Sequence, residues 1–290
     1  MPELPEVETV RRVLEHRLRD AVITRVDVRC AGLRNPFQNG FARMLKGARF
    51  DVFGRRGKYL LLQMSSTQTW IVHLGMTGMF TVVDRQAAGR PAVHGLHEGR
   101  HDHVVVQLED GRSLIYQDPR KFGSMELVPT SELHHHAAVG RLGPEPIDPE
   151  FDDQVLASQL AGRRCNIKSA LMNQRIIAGI GNIYAAEALF LSRISPRRIA
   201  RSLVGVDGGP GKRCTRLADA LTDVLGRAID AGGSTLRDFR SPDGISGSFP
   251  QSFRVYGREG LACRRHHCSG IIRRYAQDGR STFVCPKCQR

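Results

Sequence analysis

The stretch HVVVQLEDGRSLIYQ, residues 103–117, decides the fold class of the N-terminal half. Two runs rich in β-branched and aromatic residues flank Asp110-Gly111, a dipeptide suited to the positive φ angles of a tight hairpin, so the stretch reads as two antiparallel strands. Similar runs lie upstream: ITRVDVR at 23–29, GKYLLLQM at 57–64 and TWIVHLGMTGMFTVV at 69–83. Residues 22 to 128 therefore read as an antiparallel β-sandwich or flattened barrel. Ahead of them, Val7, Val10, Val13, Leu14 and Leu18 recur at helical spacing, with Pro5 suited to a first helical turn and Glu6 complementing its dipole.

Downstream the pattern changes. HHHAAVGRLGPEPIDPE, residues 134–150, carries three prolines and two glycines without periodicity and reads as a linker, its three histidines as a solvated turn. Residues 150 to 232 return to helical patterning, interrupted at GIG (179–181) and at SPRR (195–198). The fold class expected is α+β and multidomain: an N-terminal helix with a β-sandwich over 1–133, a linker over 134–149, a helical domain over 150–250, and a short C-terminal domain over 251–290.

Composition narrows the partners. The 290 residues carry a formal net charge of +14, and residues 251–290 hold eight Arg and one Lys against Glu259 and Asp278. A surface this basic attracts polyanions, nucleic acid first and anionic membrane second. No run approaches the length of a membrane span and no secretory leader is visible, so an intracellular location is expected. Of seven cysteines, Cys30, Cys165 and Cys214 are scattered and read as ordinary thiols. The other four form CRRHHC (263–268) and CPKC (285–288). Two closely spaced thiolate pairs are what a tetrahedral structural Zn²⁺ needs, and four protein ligands leave no open position for water. The set Cys263, Cys268, Cys285 and Cys288 is expected, although His266 or His267 has legal spacing to replace Cys268.

Three further motifs have bland and chemical readings. IAGIGNIYAAEALF (177–190) ends one helix on glycines and places Asn182 at the cap of the next, either plain helix packing or a phosphate clamp. YQDPRKFG (116–123) puts Arg120 and Phe122 at a hairpin tip beside HLGMTG (73–78) and Met76, either an ordinary strand end or a wedge that fills the space left by an extruded base. MPELPEVETVRR (1–12) has proline at position 2. An α-amine with a pKa of about 7.7–8.0 is unprotonated far more often at neutral pH than a lysine near about 10.4, and removal of Met1 exposes one at Pro2.

In this order on one chain, these motifs resemble the formamidopyrimidine-DNA glycosylase and endonuclease VIII family of base-excision repair enzymes. The similarity covers PELPEVETVRR, GRRGKYLLL, HLGMTG, DPRKFG, GIGNIYAAEALF, VYGREG and the four-cysteine tail, and PELPE resembles the formamidopyrimidine branch. The resemblance implies a helix-two-turn-helix domain, a β-hairpin zinc finger with one structural zinc, and a monomer acting on damaged double-stranded DNA. It implies a bifunctional glycosylase and lyase for oxidised purines, 8-oxoguanine and formamidopyrimidines. Pro2 is then the nucleophile, Glu3 the acid/base partner, Lys58 the catalytic or phosphate-binding lysine and Glu6 a supporting residue. Met76, Arg120 and Phe122 fill the void in the duplex; Asn182 and Arg280 hold phosphate; Tyr256 and the loop at 237–250 cover the extruded base. An oxidised-pyrimidine glycosylase and a non-catalytic zinc-ribbon DNA-binding protein are the competing readings. CRRHHC is longer than the common two-residue spacer, and Asn173-Gln174 stands where relatives usually have Asp-Gln.

Overall fold

The computed structural model describes residues 1–84, 99–234, 242 and 249–290. The chain divides into two compact units, Met1–Gly140 with Gly232–Gly247, and Arg141–Ala231 with Ser248–Arg290.

The first unit begins with helix α1 (Leu4–Leu18), one residue earlier than Pro5 suggests. Glu3 is its N-cap, and the Glu6 carboxylate returns to accept from the Glu3 N–H at 2.8 Å. This reciprocal box fixes the entry of the chain into the helix. The strands follow as β1 (Ile23–Val28), then after the short helix α2 (Phe41–Leu45) β2 (Phe50–Arg56), β3 (Tyr59–Met64), β4 (Gln68–His73), β5 (Met79–Val83), β6 (Asp102–Leu108), β7 (Ser113–Gln117) and β8 (Ser124–Pro129). They make two antiparallel four-stranded sheets, ordered β1-β6-β7-β5 and β2-β3-β4-β8. The hairpin expected at residues 103–117 is β6–β7, with Val105 opposite Ile115 and Gly111 at φ +88° in the turn.

One core joins both sheets to α1: Val7, Val10, Leu14 and Leu18 bury with Phe50, Leu62, Trp70, Phe80, Val106 and Tyr116. Removing such side chains from water contributes roughly 1.5–3 kcal/mol each and holds the helix on the sheets. On the other face of α1, Arg11 donates to Glu8, to Glu15 and to the Phe53 carbonyl. Burial pushes the Glu8 carboxyl up, but hydrogen bonds from Arg11 and Arg12 and the charges of Arg11 and Arg55 outweigh it, and its pKa ends below the ordinary value.

The second unit is helical, with α3 (Asp153–Leu160), α4 (Ile167–Met172), α5 (Asn182–Leu191) and α6 (Lys212–Asp230), and ends in the hairpin β9 (Arg273–Gln277) and β10 (Arg280–Val284). Asp152 caps α3 through Val155 N–H and Asn166 caps α4 through Ser169 N–H. α6 is strongly amphipathic and buries Leu217, Leu221, Val224 and Leu225 against α5 residues Tyr184 and Leu189. A smaller core joins α5 to the β9–β10 region through Phe190, Val255, Ile272, Phe283 and Cys285. No described helix is long and apolar enough to cross a membrane.

Candidate active site and nucleic-acid interface

Pro2, Glu3 and Glu6 lie together at the start of α1, all buried. Glu6 is the anchor. One oxygen takes the Glu3 N–H, and the other takes both the N–H and the hydroxyl of Ser234 at 2.7 Å. Gly233, at φ +80°, lets the backbone pass close to Glu6: a Cβ there would sit 3.2 Å from its carboxylate. The first turn of α1 is thereby tied to a segment more than 220 residues away in the chain.

Lys58 occupies the β2–β3 turn with Gly57, a two-residue loop whose first position has φ +56°. A turn lysine is normally solvated; Lys58 is 5% exposed. Its charge reaches His73 at the end of β4. Burial first, then the charges of Lys58 and Arg34, lower the His73 pKa to about 4. Its Nδ1 accepts from the Gly75 N–H at 3.0 Å, so the neutral imidazole carries its proton on Nε2. The folded pKa lies below the unfolded value of about 6.5, so the neutral ring stabilises the fold above that pH. The contribution is lost as pH falls from about 6.5 to about 4, a total of about 3 kcal/mol. In an NMR titration the His73 ring should show no protonation above pH of about 5; a midpoint near the ordinary histidine value would contradict this assignment.

Met76, Arg120 and Phe122, distant in sequence, meet in space. The Arg120 guanidinium lies 4.4 Å over the Phe122 ring and donates to Met76 Sδ at 3.3 Å. Phe122 is 45% exposed. The two loops approach backbone to backbone: a Cβ on Gly75 would fall 2.4 Å from the Phe122 carbonyl carbon. What holds them is Asp118, which the sequence reading did not single out. Fully buried, it accepts from Thr77 Oγ1 at 2.5 Å, Gly123 N–H at 2.8 Å, Arg120 N–H at 3.3 Å and Tyr116 Oη at 3.4 Å. Burial, then the Asp118 charge, keeps the Tyr116 phenol protonated. An amide replaces one acceptor oxygen by a donor, so Asp118→Asn should lower stability by about 2 kcal/mol in urea unfolding; a change within about 0.5 kcal/mol would remove Asp118 as the staple of these loops.

In the second unit, Gln174 stitches the turn between α4 and α5: its Nε2 donates to the Ile180 carbonyl at 2.8 Å and its Oε1 accepts from Gly179 N–H at 2.9 Å. Asn182 departs from expectation. Gly181 is the N-cap of α5 and Asn182 the first helical residue, because its side chain turns to the hairpin and donates Nδ2 to the Ser281 carbonyl at 3.0 Å. Lys168, buried on α4, donates to the same carbonyl and to Thr282 Oγ1. Both fix the backbone beside exposed Arg280, which begins β10 after the turn Asp278-Gly279. Tyr256 is half-buried, its ring 5.0 Å from that of Phe283, and its N–H is one of three consecutive donors, with Arg254 and Val255, that converge on the Glu187 carboxylate. Glu187 is 2% exposed, and its burial raises its pKa despite those bonds. A lone acid inside the apolar run NIYAAEALF was a visible signal of such a contact. The loop expected at 237–250 to cover the base lies, but for residues 242, 249 and 250, outside the described residues, and the structure leaves it aside.

The four sulfurs of Cys263, Cys268, Cys285 and Cys288 lie within 4.8 Å of one another. Two pairs are 3.7 Å apart and a third 3.1 Å, against about 3.8 Å for the edge of a tetrahedron with Zn–S bonds of about 2.3 Å. Gly270 makes room, since a Cβ there would stand 2.6 Å from Cys285 Sγ. His266 and His267 are exposed and outside this group of four cysteines. The donors fit one structural Zn²⁺ with no open coordination position.

Three family models match the chain: the formamidopyrimidine-DNA glycosylase N-terminal domain at residues 1–125, its H2TH domain at 142–240 and the zinc finger found in FPG and IleRS at 260–290. The chain belongs to the formamidopyrimidine-DNA glycosylase family. A formamidopyrimidine-DNA glycosylase of Azorhizobium caulinodans is 48% identical over all of both chains. The MutM (Fpg) protein of Thermus thermophilus superposes with a TM-score of 0.84 at 37% identity, covering 99% of this chain and 98% of that one. A Lactococcus lactis FPG mutant in complex with Fapy-dG containing DNA gives 0.86 at 32% identity over all of both chains. The helix-two-turn-helix and zinc-finger expectations are thus met.

Proposed function

We propose that the chain is a bifunctional DNA glycosylase and apurinic-site lyase that removes oxidised purines, 8-oxoguanine and formamidopyrimidines, from duplex DNA. The observation that carries this reading is Pro2 placed directly ahead of the Glu3–Glu6 box, in a member of a family whose relatives are named formamidopyrimidine-DNA glycosylases. With Met1 removed, the Pro2 nitrogen attacks C1′, the glycosidic bond breaks, and the base leaves with its electron pair and takes up a proton. The nitrogen gives up its proton and forms an iminium ion with C1′ as the sugar ring opens. β-elimination expels the 3′ phosphate and δ-elimination the 5′ phosphate, leaving a gap with phosphate at both ends. Glu3 moves protons at the sugar, Glu6 holds Glu3 and the chain end, and Lys58 binds phosphate or assists the chemistry. Met76, Arg120 and Phe122 occupy the vacated stack, while Asn182, Tyr256 and Arg280 engage the strand near the lesion. The zinc maintains the hairpin that bears Arg280. The chain acts as a monomer, inside the cell where the DNA is.

Borohydride reduction during turnover of an 8-oxoguanine·cytosine duplex should trap a covalent adduct on Pro2, read by mass spectrometry. An adduct on a lysine would overturn the nucleophile, and excision of thymine glycol alone would move the substrate to oxidised pyrimidines. Glu3→Gln should bind the duplex with unchanged affinity and lose base excision by about a hundredfold or more; full activity in that variant would refute the acid/base role.

A further inference from the structure

The SPRR interruption at residues 195–198 is not absorbed by the proposed chemistry, and it belongs to a distinct feature of the second unit. The segment preceding α4 and the segment following α5 run antiparallel. Ile167 N–H donates to the Arg198 carbonyl at 2.7 Å, Asn166 bridges Ile199, Ala200 N–H donates to the Cys165 carbonyl and Arg201 N–H to the Arg163 carbonyl. The pair displays Arg163, Arg164, Arg197, Arg198 and Arg201, and Arg213 at the start of α6 acts on Arg198: burial first, then the Arg213 charge, lowers its pKa. A cation in the first turn of a helix also opposes the helix dipole. This is charge crowding that a fold alone does not select.

None of these six arginines forms an ion pair with an Asp or Glu side chain among the described residues. Other arginines of the chain are neutralised: Arg11, Arg12 and Arg55 meet Glu8, Arg25 meets Asp27 and Arg112 meets Asp110. Three of the six are held in place. Arg163 Nε donates to the Gln159 carbonyl at 2.5 Å, Arg198 Nε to the Arg290 oxygen at 3.4 Å, and the Arg197 guanidinium lies 4.2 Å over the Tyr275 ring. Guanidinium groups held without Asp or Glu partners are prearranged for phosphate.

The ridge is continuous with the zinc hairpin. Asn166 Nδ2 donates to the Asp278 carboxylate at 3.0 Å and Gln277 Nε2 to the Pro196 carbonyl at 3.1 Å, so the ridge starts at the turn that leads into Arg280. Trp70, the sole tryptophan, is buried in the other unit's core, and the ridge is built on tied loops rather than on an amphipathic helix, the element that usually attaches a protein to lipid.

We propose that Arg163, Arg164, Arg197, Arg198, Arg201 and Arg213 form a second phosphate-binding ridge that extends the grip of the zinc hairpin along duplex DNA outward from the lesion. This rests on the DNA-repair reading. The contacts carry no sequence or damage information, so they serve retention on the duplex rather than discrimination of the lesion.

Binding of the zinc-loaded full chain to a lesion duplex and to an undamaged duplex of about 30 base pairs, measured across a range of KCl concentrations, tests it. The variant combining Arg163→Gln, Arg197→Gln and Arg201→Gln should reduce the slope of log affinity against log salt by about 2–3 on both duplexes. The corresponding triple lysine variant should restore most of it. Arg164→Gln, an exposed position whose side chain makes no hydrogen bond or ion pair among the described residues, should reduce the slope by about 1. An unchanged slope in these variants overturns the proposal, as does a loss confined to the lesion duplex. Loss of binding to phosphatidylserine vesicles with an intact DNA slope would assign the ridge to membrane instead. Failure of the glycosylase reading shows separately, as absence of borohydride trapping by the unmodified sequence.

Discussion

Protein that keeps a residue ahead of Pro2 will bind lesion DNA normally and excise no base. While Met1 is attached, the Pro2 nitrogen is a tertiary amide whose lone pair is delocalised into the carbonyl, and it has neither basicity nor nucleophilicity to offer C1′. After removal of Met1 it is a secondary amine, a fraction of which is unprotonated at neutral pH. The surroundings permit this comparison without unfolding. Met1 is 43% exposed, whereas Pro2 is buried and the following turn is held by the bonds from Glu6 to Glu3 and Ser234. A non-cleavable N-terminal extension should therefore leave the melting temperature unchanged and lower single-turnover excision by about a thousandfold or more, with no adduct after borohydride treatment. Mass spectrometry of the active protein should find Pro2 as its first residue. An extended chain that still cross-links and excises at a comparable rate would exclude the Pro2 nitrogen as nucleophile.

The parts of the fold legible in the sequence are those whose cause is local. Asp110-Gly111 dictates its turn from the backbone angles of two residues, and α6 announces itself by the spacing of Leu217, Leu221, Val224 and Leu225. The cysteine spacing likewise gives the ligand group, although only the structure separates Cys268 from its histidine neighbours. What stays hidden depends on partners far away in the chain. Asp118 takes one of its bonds from Thr77, across 41 residues, and others from backbone N–H groups, which every residue type except proline supplies. Glu187 captures three such groups more than 65 residues downstream. Asn182 misleads for the same reason: a preceding glycine and a helix make it look like a cap, while its side chain answers to Ser281 across 99 residues. Met76, Arg120 and Phe122 could be named from motifs, but their convergence is set by glycines at 75 and 123 and by one buried carboxylate.

Replacing Cys285 by serine should cost the protein its zinc, the β9–β10 hairpin and most of its affinity for DNA, while leaving the rest of the helical unit folded. The hairpin has little else to stand on. Arg273, Arg274, Ala276 and Arg280 are exposed, and Ile272, Phe283, Cys263 and Cys285, among the buried side chains around the ribbon, reach a core by sharing one with Phe190 of α5. Structural zinc contributes on the order of 10 kcal/mol to such a fold, and Cys285 is the fully buried ligand that joins the metal to that shared core. A serine hydroxyl is a poor zinc ligand, and three thiolates left together repel without the cation that united them. The larger helical core, with Leu171, Tyr184, Leu189, Leu221 and Leu225, does not include the ribbon. Circular dichroism should thus retain the helical signal, with an earlier partial melting step. DNA affinity should fall by about a hundredfold or more as the Arg280 turn, held against Asn166, Lys168 and Asn182, is released. Zinc analysis should find one ion per chain in the unmodified protein and in a His266→Ala, His267→Ala double variant, and less than a tenth of that in Cys285→Ser or Cys268→Ser. Full zinc content and unchanged DNA affinity in Cys285→Ser would show that the hairpin is held by its own packing, and loss of zinc in the histidine variant would replace one of the four thiolates by an imidazole.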